Sequence, residues 1–153
     1  MEWPHPFLDF QRDGIRALVE SDALLLADDM GLGKTVQTAA ALRILFRLRR
    51  VERALLVVPA SLVLQWRRAL REWAPDLRLS EVRGSSSQRA YQWQVPVHVY
   101  LTSYETLRAD LTENVNSPPR KRVWDVVILD EAQRIKNRGS GISQVCKRVP
   151  RRR

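Results

Sequence analysis

Apolar positions follow two rhythms along this chain. Short β-prone runs, near 23–27, 54–58, 78–82, 97–102 and 125–129, alternate with longer stretches near 10–19, 34–49, 62–73, 87–93, 104–110 and 142–147, where apolar and polar residues recur at helical spacing. The runs ALLLA at 23–27 and DVVIL at 125–129 are apolar nearly throughout, as expected of central strands covered by helices on both faces, and each is followed by Asp. Parallel strands need long, usually helical, crossovers, so the alternation predicts an α/β fold with a mainly parallel central sheet. Trp66 and Trp73, seven residues apart, share one face of the 62–73 helix and are expected in the core rather than on a base-stacking platform. The stretch NVNSPPRKR at 114–122 is expected to be an exposed loop, because Pro118 and Pro119 forbid regular structure. No segment repeats.

At 153 residues, with 44% hydrophobic and 28% charged residues, the composition predicts a single globular domain rather than a disordered chain. No apolar run approaches the ~18 residues that would cross a bilayer. The start Met1-Glu2-Trp3-Pro4 lacks the basic and apolar regions of a signal peptide, so no membrane association is expected and the cytosol is the expected compartment. Cys146 is the one cysteine, and with only His5 and His98 beside it there is no disulfide and no zinc-ligand spacing.

The formal charge of +9 is unevenly placed. Residues 1–131 hold 18 Lys/Arg against 17 Asp/Glu, whereas residues 132–153 hold eight Lys/Arg and no acid: Arg134, Lys136, Arg138, Lys147, Arg148, Arg151, Arg152 and Arg153. Such a block suits nucleic-acid phosphates; a solvated chain end is the equally open alternative. Smaller clusters at Arg43, Arg47, Arg49, Arg50 and Arg53, and at Arg67, Arg68 and Arg71, read as solvated helix faces.

The sharpest chemistry follows the first predicted strand. Ala27-Asp28-Asp29-Met30-Gly31-Leu32-Gly33-Lys34-Thr35 leads into the helical stretch from Val36, giving strand, glycine loop and helix in the order a triphosphate site requires. Gly31 and Gly33 let the chain curl so that backbone N–H groups point at phosphate oxygens, and the helix N-terminus adds a favourable dipole. Lys34 is placed to reach the β- and γ-phosphates and the Thr35 hydroxyl to ligate Mg2+. Asp28 stands where the general GxxxxGK[ST] pattern has its first glycine, which leaves a chance Gly-Lys-Thr turn as the alternative on this loop alone. Far downstream, Val126-Val127-Ile128-Leu129 ends in Asp130-Glu131, placing two carboxylates at the carboxyl end of a buried strand, the edge where open α/β sheets bind ligands. Asp130 suits the Mg2+ shell and Glu131 the polarisation of an attacking water. Taken alone, adjacent acids at a strand end would read as helix caps.

With these residues in view, the chain resembles the first RecA-like lobe of Swi/Snf-type DNA translocases, members of the DExx-box helicase superfamily. LADDMGLGKTVQ at 26–37 resembles that family's phosphate loop, in which the position of Asp28 is normally Asp. VVPASLVLQW at 57–66 resembles motif Ia, LTSYETL at 101–107 motif Ib, and LDEAQRIKN at 129–137 the extended motif II, with Gln133 where many members have His. Upstream, Leu8-Asp9-Phe10-Gln11-Arg12-Asp13-Gly14 is similar to the family's adenine-recognition segment.

The resemblance implies a RecA-like three-layer sandwich spanning 1–153, incomplete at its C-terminus and lacking the strand with the Thr-Gly-Thr-Pro motif and the second lobe with its arginine finger. It implies ATP-driven translocation on double-stranded DNA without strand separation, the second lobe coming in cis or in trans. By position, Gln11 would read adenine; Asp29, Met30, Gly31, Leu32, Gly33, Lys34 and Thr35 would hold ATP; Thr35 and Asp130 would hold Mg2+; and Lys34, Asp130 and Glu131 would run hydrolysis. Ser61 and Gln65, then Thr102, Ser103 and Tyr104, with Lys136, would contact the DNA backbone weakly and without reading bases. Ser61 as a helix cap and Tyr104 as a core residue are the competing readings. A bacterial cytosol or nucleoid is the favoured location, a nucleus if the source is eukaryotic. Two other functions stay open: a non-catalytic module that binds nucleic acid or a partner, and a small phosphotransferase, although no lid or acceptor motif is recognisable.

Overall fold

The computed structural model describes residues 2–20, 32–112 and 124–130. Among these residues four strands, β1 (Ala54–Val58), β2 (Leu79–Val82), β3 (Val99–Ser103) and β4 (Val126–Leu129), form one sheet in the order β2-β3-β1-β4. Every pairing is parallel. Among the described residues five helices accompany them: α1 (Asp9–Glu20), α2 (Leu32–Arg47), α3 (Val63–Trp73), α4 (Ser86–Gln94) and α5 (Tyr104–Thr112). The predicted strand at 23–27, helix at 142–147 and loop at 114–122 lie outside the described residues.

Strand alternation builds two cores. Ala54, Leu56 and Val58 of β1 point to one face with Val99, Leu101, Val126 and Ile128, under Leu42 and Leu45 of α2 and Trp66, Leu70 and Trp73 of α3. Leu55 and Val57 point to the other face with Tyr100 and Val127, against Trp93 of α4 and Tyr104, Leu107 and Leu111 of α5. The result is helix, sheet, helix, with all five residues of β1 buried. Trp66, Leu70 and Trp73 form the single apolar stripe that their spacing predicts. On its outer side α2 meets α1 through Ile15, Ala40 and Ala41. The two helices approach closely at Gly14, where a Cβ would fall 2.1 Å from the Gln37 amide oxygen.

Several element ends differ from the sequence expectation by one or two residues. Helix α2 starts at Leu32 rather than 34, since the first turn of a helix needs no intrahelical N–H bonds and can include loop residues. It stops at Arg47 rather than 49. Arg49 adopts φ 58° and is followed by the paired bonds Arg49 N–H to the Phe46 carbonyl and Arg50 N–H to the Leu45 carbonyl, a Schellman stop made without the usual glycine. A 3-10 turn at Ala60–Leu62 precedes α3. Helix α4 begins with a reciprocal capping box, Ser85 Oγ accepting from the Gln88 N–H and Gln88 Oε1 accepting from the Ser85 N–H.

Candidate functional site

Parallel pairing brings the carboxyl ends of β1, β3 and β4 to one edge of the sheet. Val57 lies beside Leu129 and Val58 beside Ser103, so the turn after β1, the start of α5 and Asp130 are neighbours. Asp130 is fully buried there. Its N–H donates to the Val57 carbonyl at 2.9 Å, its own carbonyl accepts from the Tyr104 hydroxyl, and its Oδ2 accepts from the Trp66 indole N–H at 2.6 Å. Residues from β1, α3 and α5 thus converge on one carboxylate-bearing residue, and the predicted metal acid is held rather than merely present.

Thr35, in the first turn of α2, is 1% exposed, and its hydroxyl has no hydrogen-bond partner among the described residues; the same holds for Thr38. A buried hydroxyl without a partner costs about 1–3 kcal/mol, so Thr35 is set to gain from a ligand or cation. Thr35 Oγ1 and the Asp130 carboxylate are hard-oxygen donors of the kind Mg2+ takes, and would hold the ion if it were bound between them. These residues fit the ion.

Gln11 is the third residue of α1, and its Oε1 accepts from the Leu8 N–H at 2.9 Å, the returning half of a capping box. That bond uses one lone pair of the oxygen and leaves the other, with the amide NH2, to a ligand. The contact of Gly14 with Gln37 sets this segment against the helix that opens at the phosphate loop.

The expected nucleic-acid residues divide. Ser61 is exposed in the 3-10 turn, and no side chain caps α3, so its competing role as a cap is not taken up. Gln65 is half-buried one turn further on. Thr102 is completely buried and donates its hydroxyl to the Val82 carbonyl; Tyr104 is buried with its hydroxyl on Asp130. Ser103 Oγ caps α5 by accepting from the Thr106 N–H at 3.1 Å. Asp29, Met30, Gly31, Glu131 and Lys136 lie outside the described residues, and of Leu32, Gly33 and Lys34 only the helical backbone is described.

Sequence reasoning placed Trp66 in the core but missed its bond to Asp130. One signal was present: a buried tryptophan N–H needs an acceptor, and an acid ended a strand that could neighbour it.

A conserved-domain description, "SNF2-related domain", matches residues 10–153. The chain belongs to the SNF2-related family. It is 32% identical over 151 residues to the "DNA excision repair protein ERCC-6-like" of Danio rerio, covering 93% of this chain and 10% of that protein. It is 35% identical over 146 residues to the "ISWI chromatin-remodeling complex ATPase ISW1" of Saccharomyces cerevisiae, covering 89% of this chain and 12% of that one. Among solved structures, the Sulfolobus solfataricus SWI2/SNF2 ATPase core in complex with dsDNA superposes with a TM-score of 0.81 at 26% identity, covering 97% of this chain and 31% of that one. The chain therefore spans about a tenth of these curated SNF2-related proteins and under a third of the archaeal core. The four parallel strands among the described residues agree with the RecA-like fold of such ATPase cores. Among the described residues no helix is long and apolar enough to cross a membrane.

Proposed function

We propose that residues 1–153 form the ATP-binding part of the first RecA-like lobe of a SNF2-related DNA translocase. Hydrolysis and movement along double-stranded DNA would arise when a second lobe is supplied in cis or in trans. The observation that carries this reading is Asp130, buried at the carboxyl edge of the sheet and held there by residues of β1, α3 and α5. A cytosol or nucleoid, where ATP and duplex DNA are both at hand, is the compartment it favours.

In this reading the loop at 29–35 receives the triphosphate. N–H groups of the first turn of α2, which lack intrahelical acceptors, point at phosphate oxygens, and Lys34 sets its ammonium against the β- and γ-phosphates. The Gln11 amide NH2 donates to an acceptor nitrogen of adenine. Thr35 and Asp130 would hold Mg2+, which when bound neutralises charge on the β- and γ-oxygens. Glu131 orients a water and draws on its proton as the oxygen attacks the γ-phosphorus in line; the bond to the β–γ bridging oxygen breaks, and ADP leaves with that electron pair.

Calorimetric titration with Mg·ATP tests the assignment. The wild-type chain is expected to bind weakly, and Lys34→Ala to lower affinity at least tenfold, the charge-assisted contact being worth roughly 1.5–3 kcal/mol. Undiminished binding by the variant refutes the loop. No nucleotide binding by either protein favours the non-catalytic binding module instead.

Duplex DNA is proposed to lie along the α3 side of this edge, against exposed Ser61 and half-buried Gln65. The Thr102-Ser103-Tyr104 segment supports that edge from within, and Lys136 and the basic stretch after it neutralise phosphates. Binding should be indifferent to sequence and fall steeply with salt, the log–log slope changing by about 0.9 for each phosphate contact. Removing residues 147–153 takes away five cations. It should weaken binding and flatten the slope in a fluorescence-anisotropy titration, and an unchanged slope places the contact elsewhere.

A further inference from the structure

Trp66 and Asp130 are both completely buried and are joined by the 2.6 Å bond from the indole N–H to Oδ2. They stand 64 residues apart and meet because β1 and β4 are adjacent and parallel: the helix that follows β1 starts beside the residue that follows β4. The backbone of Asp130 is already clamped by Val57 and Tyr104. What the indole adds is control of the carboxylate itself, since a donor on Oδ2 fixes the rotation of the group and hence the direction its oxygens face. An indole N–H can only donate, so it serves the carboxylate without competing for a cation.

We propose that Trp66 is a positioning residue for the metal carboxylate, holding Asp130 in the orientation that meets Mg2+. The proposal rests on the ATP-lobe reading above and deepens it. Packing alone does not account for the bond, because phenylalanine would fill much of the same space beside Leu70 and Trp73 without supplying a donor. Partners of metal ligands typically change metal affinity by about 10–100-fold when removed.

The test compares wild type, Trp66→Phe, Asp130→Asn and the double variant. Each is titrated with Mg2+ at a fixed concentration of a non-hydrolysable ATP analogue, and with the analogue alone in EDTA. Trp66→Phe is expected to raise the half-saturating Mg2+ concentration about tenfold and to leave binding in EDTA unchanged. Adding it to Asp130→Asn should bring no further change, because the indole acts through the carboxylate. Equal Mg2+ midpoints for wild type and Trp66→Phe, or an effect of Trp66→Phe that persists in Asp130→Asn, overturns the proposal. Should Trp66→Phe fail to fold, the wild type supplies the readout. Of its five indole N–H resonances, one should shift on adding Mg2+ with the analogue and cease to shift in Asp130→Asn; no responding indole overturns the proposal. Wild type that shows no Mg2+-dependent binding brings down the ATP-lobe reading and this proposal together. Normal wild-type binding with an unmoved Trp66→Phe brings down only the role of Trp66.

Discussion

Residues 1–153 alone are expected to release phosphate from ATP no faster than background, with or without duplex DNA, even while they bind Mg·ATP. The transition state of phosphoryl transfer spreads negative charge over the equatorial oxygens, and an arginine supplied across a cleft accelerates it by about 10³–10⁵. That is roughly 4–7 kcal/mol of barrier. In the family this chain resembles, the arginine comes from the second lobe. Among the described residues, Arg43, Arg67 and Arg89 are each committed to a carboxylate, on Asp76, Glu81 and Asp110 respectively, so none of these three is available to the edge at Asp130. The basic residues after position 133 are numerous, but stabilising a transition state requires donors fixed in advance at hydrogen-bonding distance rather than charge in bulk. Supplying the second lobe, in the same chain or in trans, should restore turnover by the factor above, and Glu131→Gln should remove it again. Turnover near 1 s⁻¹ by residues 1–153 alone, lost in Glu131→Gln, would overturn the expectation.

The sheet was legible because parallel strands buried on both faces have little choice of residue: ALLVV and VVIL can be little else, and β1 to β4 lie within two residues of the predicted runs. The place of Asp130 was legible for the same reason, since an acid directly after such a strand must emerge at the carboxyl edge of the sheet. Helix ends were less so. Arg49 in the left-handed region carries no sequence signal, because the Schellman bonds that stop α2 are made by backbone groups. Least legible were polar residues whose partners are distant in sequence. Thr102 reads as a contact to the DNA backbone and Tyr104 as either such a contact or a core residue, and their bonds to the Val82 carbonyl and to Asp130 depend on which strands become neighbours. Asp110 gave no signal at all, since an acid in the stretch TLRADL reads as the solvated face of a helix.

That acid carries a large expected stability effect. Asp110 on α5 is almost buried, its side chain 11% exposed, and both of its oxygens accept from α4. Arg89 Nε reaches Oδ1 at 2.9 Å and Oδ2 at 3.1 Å, and the Trp93 indole N–H reaches Oδ2 at 2.7 Å. Arg89 is 14% exposed, and it also donates to the Gly84 carbonyl at the start of α4. One carboxylate therefore joins the two helices that cover this face of the sheet. It also seats Trp93, whose ring stacks on Tyr100 and meets Trp124 edge-on. Asp110→Ala leaves a guanidinium and an indole N–H buried without these acceptors. Removing one partner of a buried pair costs about 3–5 kcal/mol, and the melting temperature should fall by on the order of 10 °C. Asp110→Asn keeps one acceptor oxygen and should lose roughly half as much. Replacing Arg89 and Asp110 together by Met and Leu removes both charges and should recover most of the loss, apart from the unpaired indole. Because the cluster lies across the sheet from α2, nucleotide affinity measured well below the melting temperature should not change. Denaturant unfolding of the three variants checks the order, and an Asp110→Ala protein within ~0.5 kcal/mol of wild type, the range of ordinary surface substitutions, would show that the carboxylate is not the joint between α4 and α5.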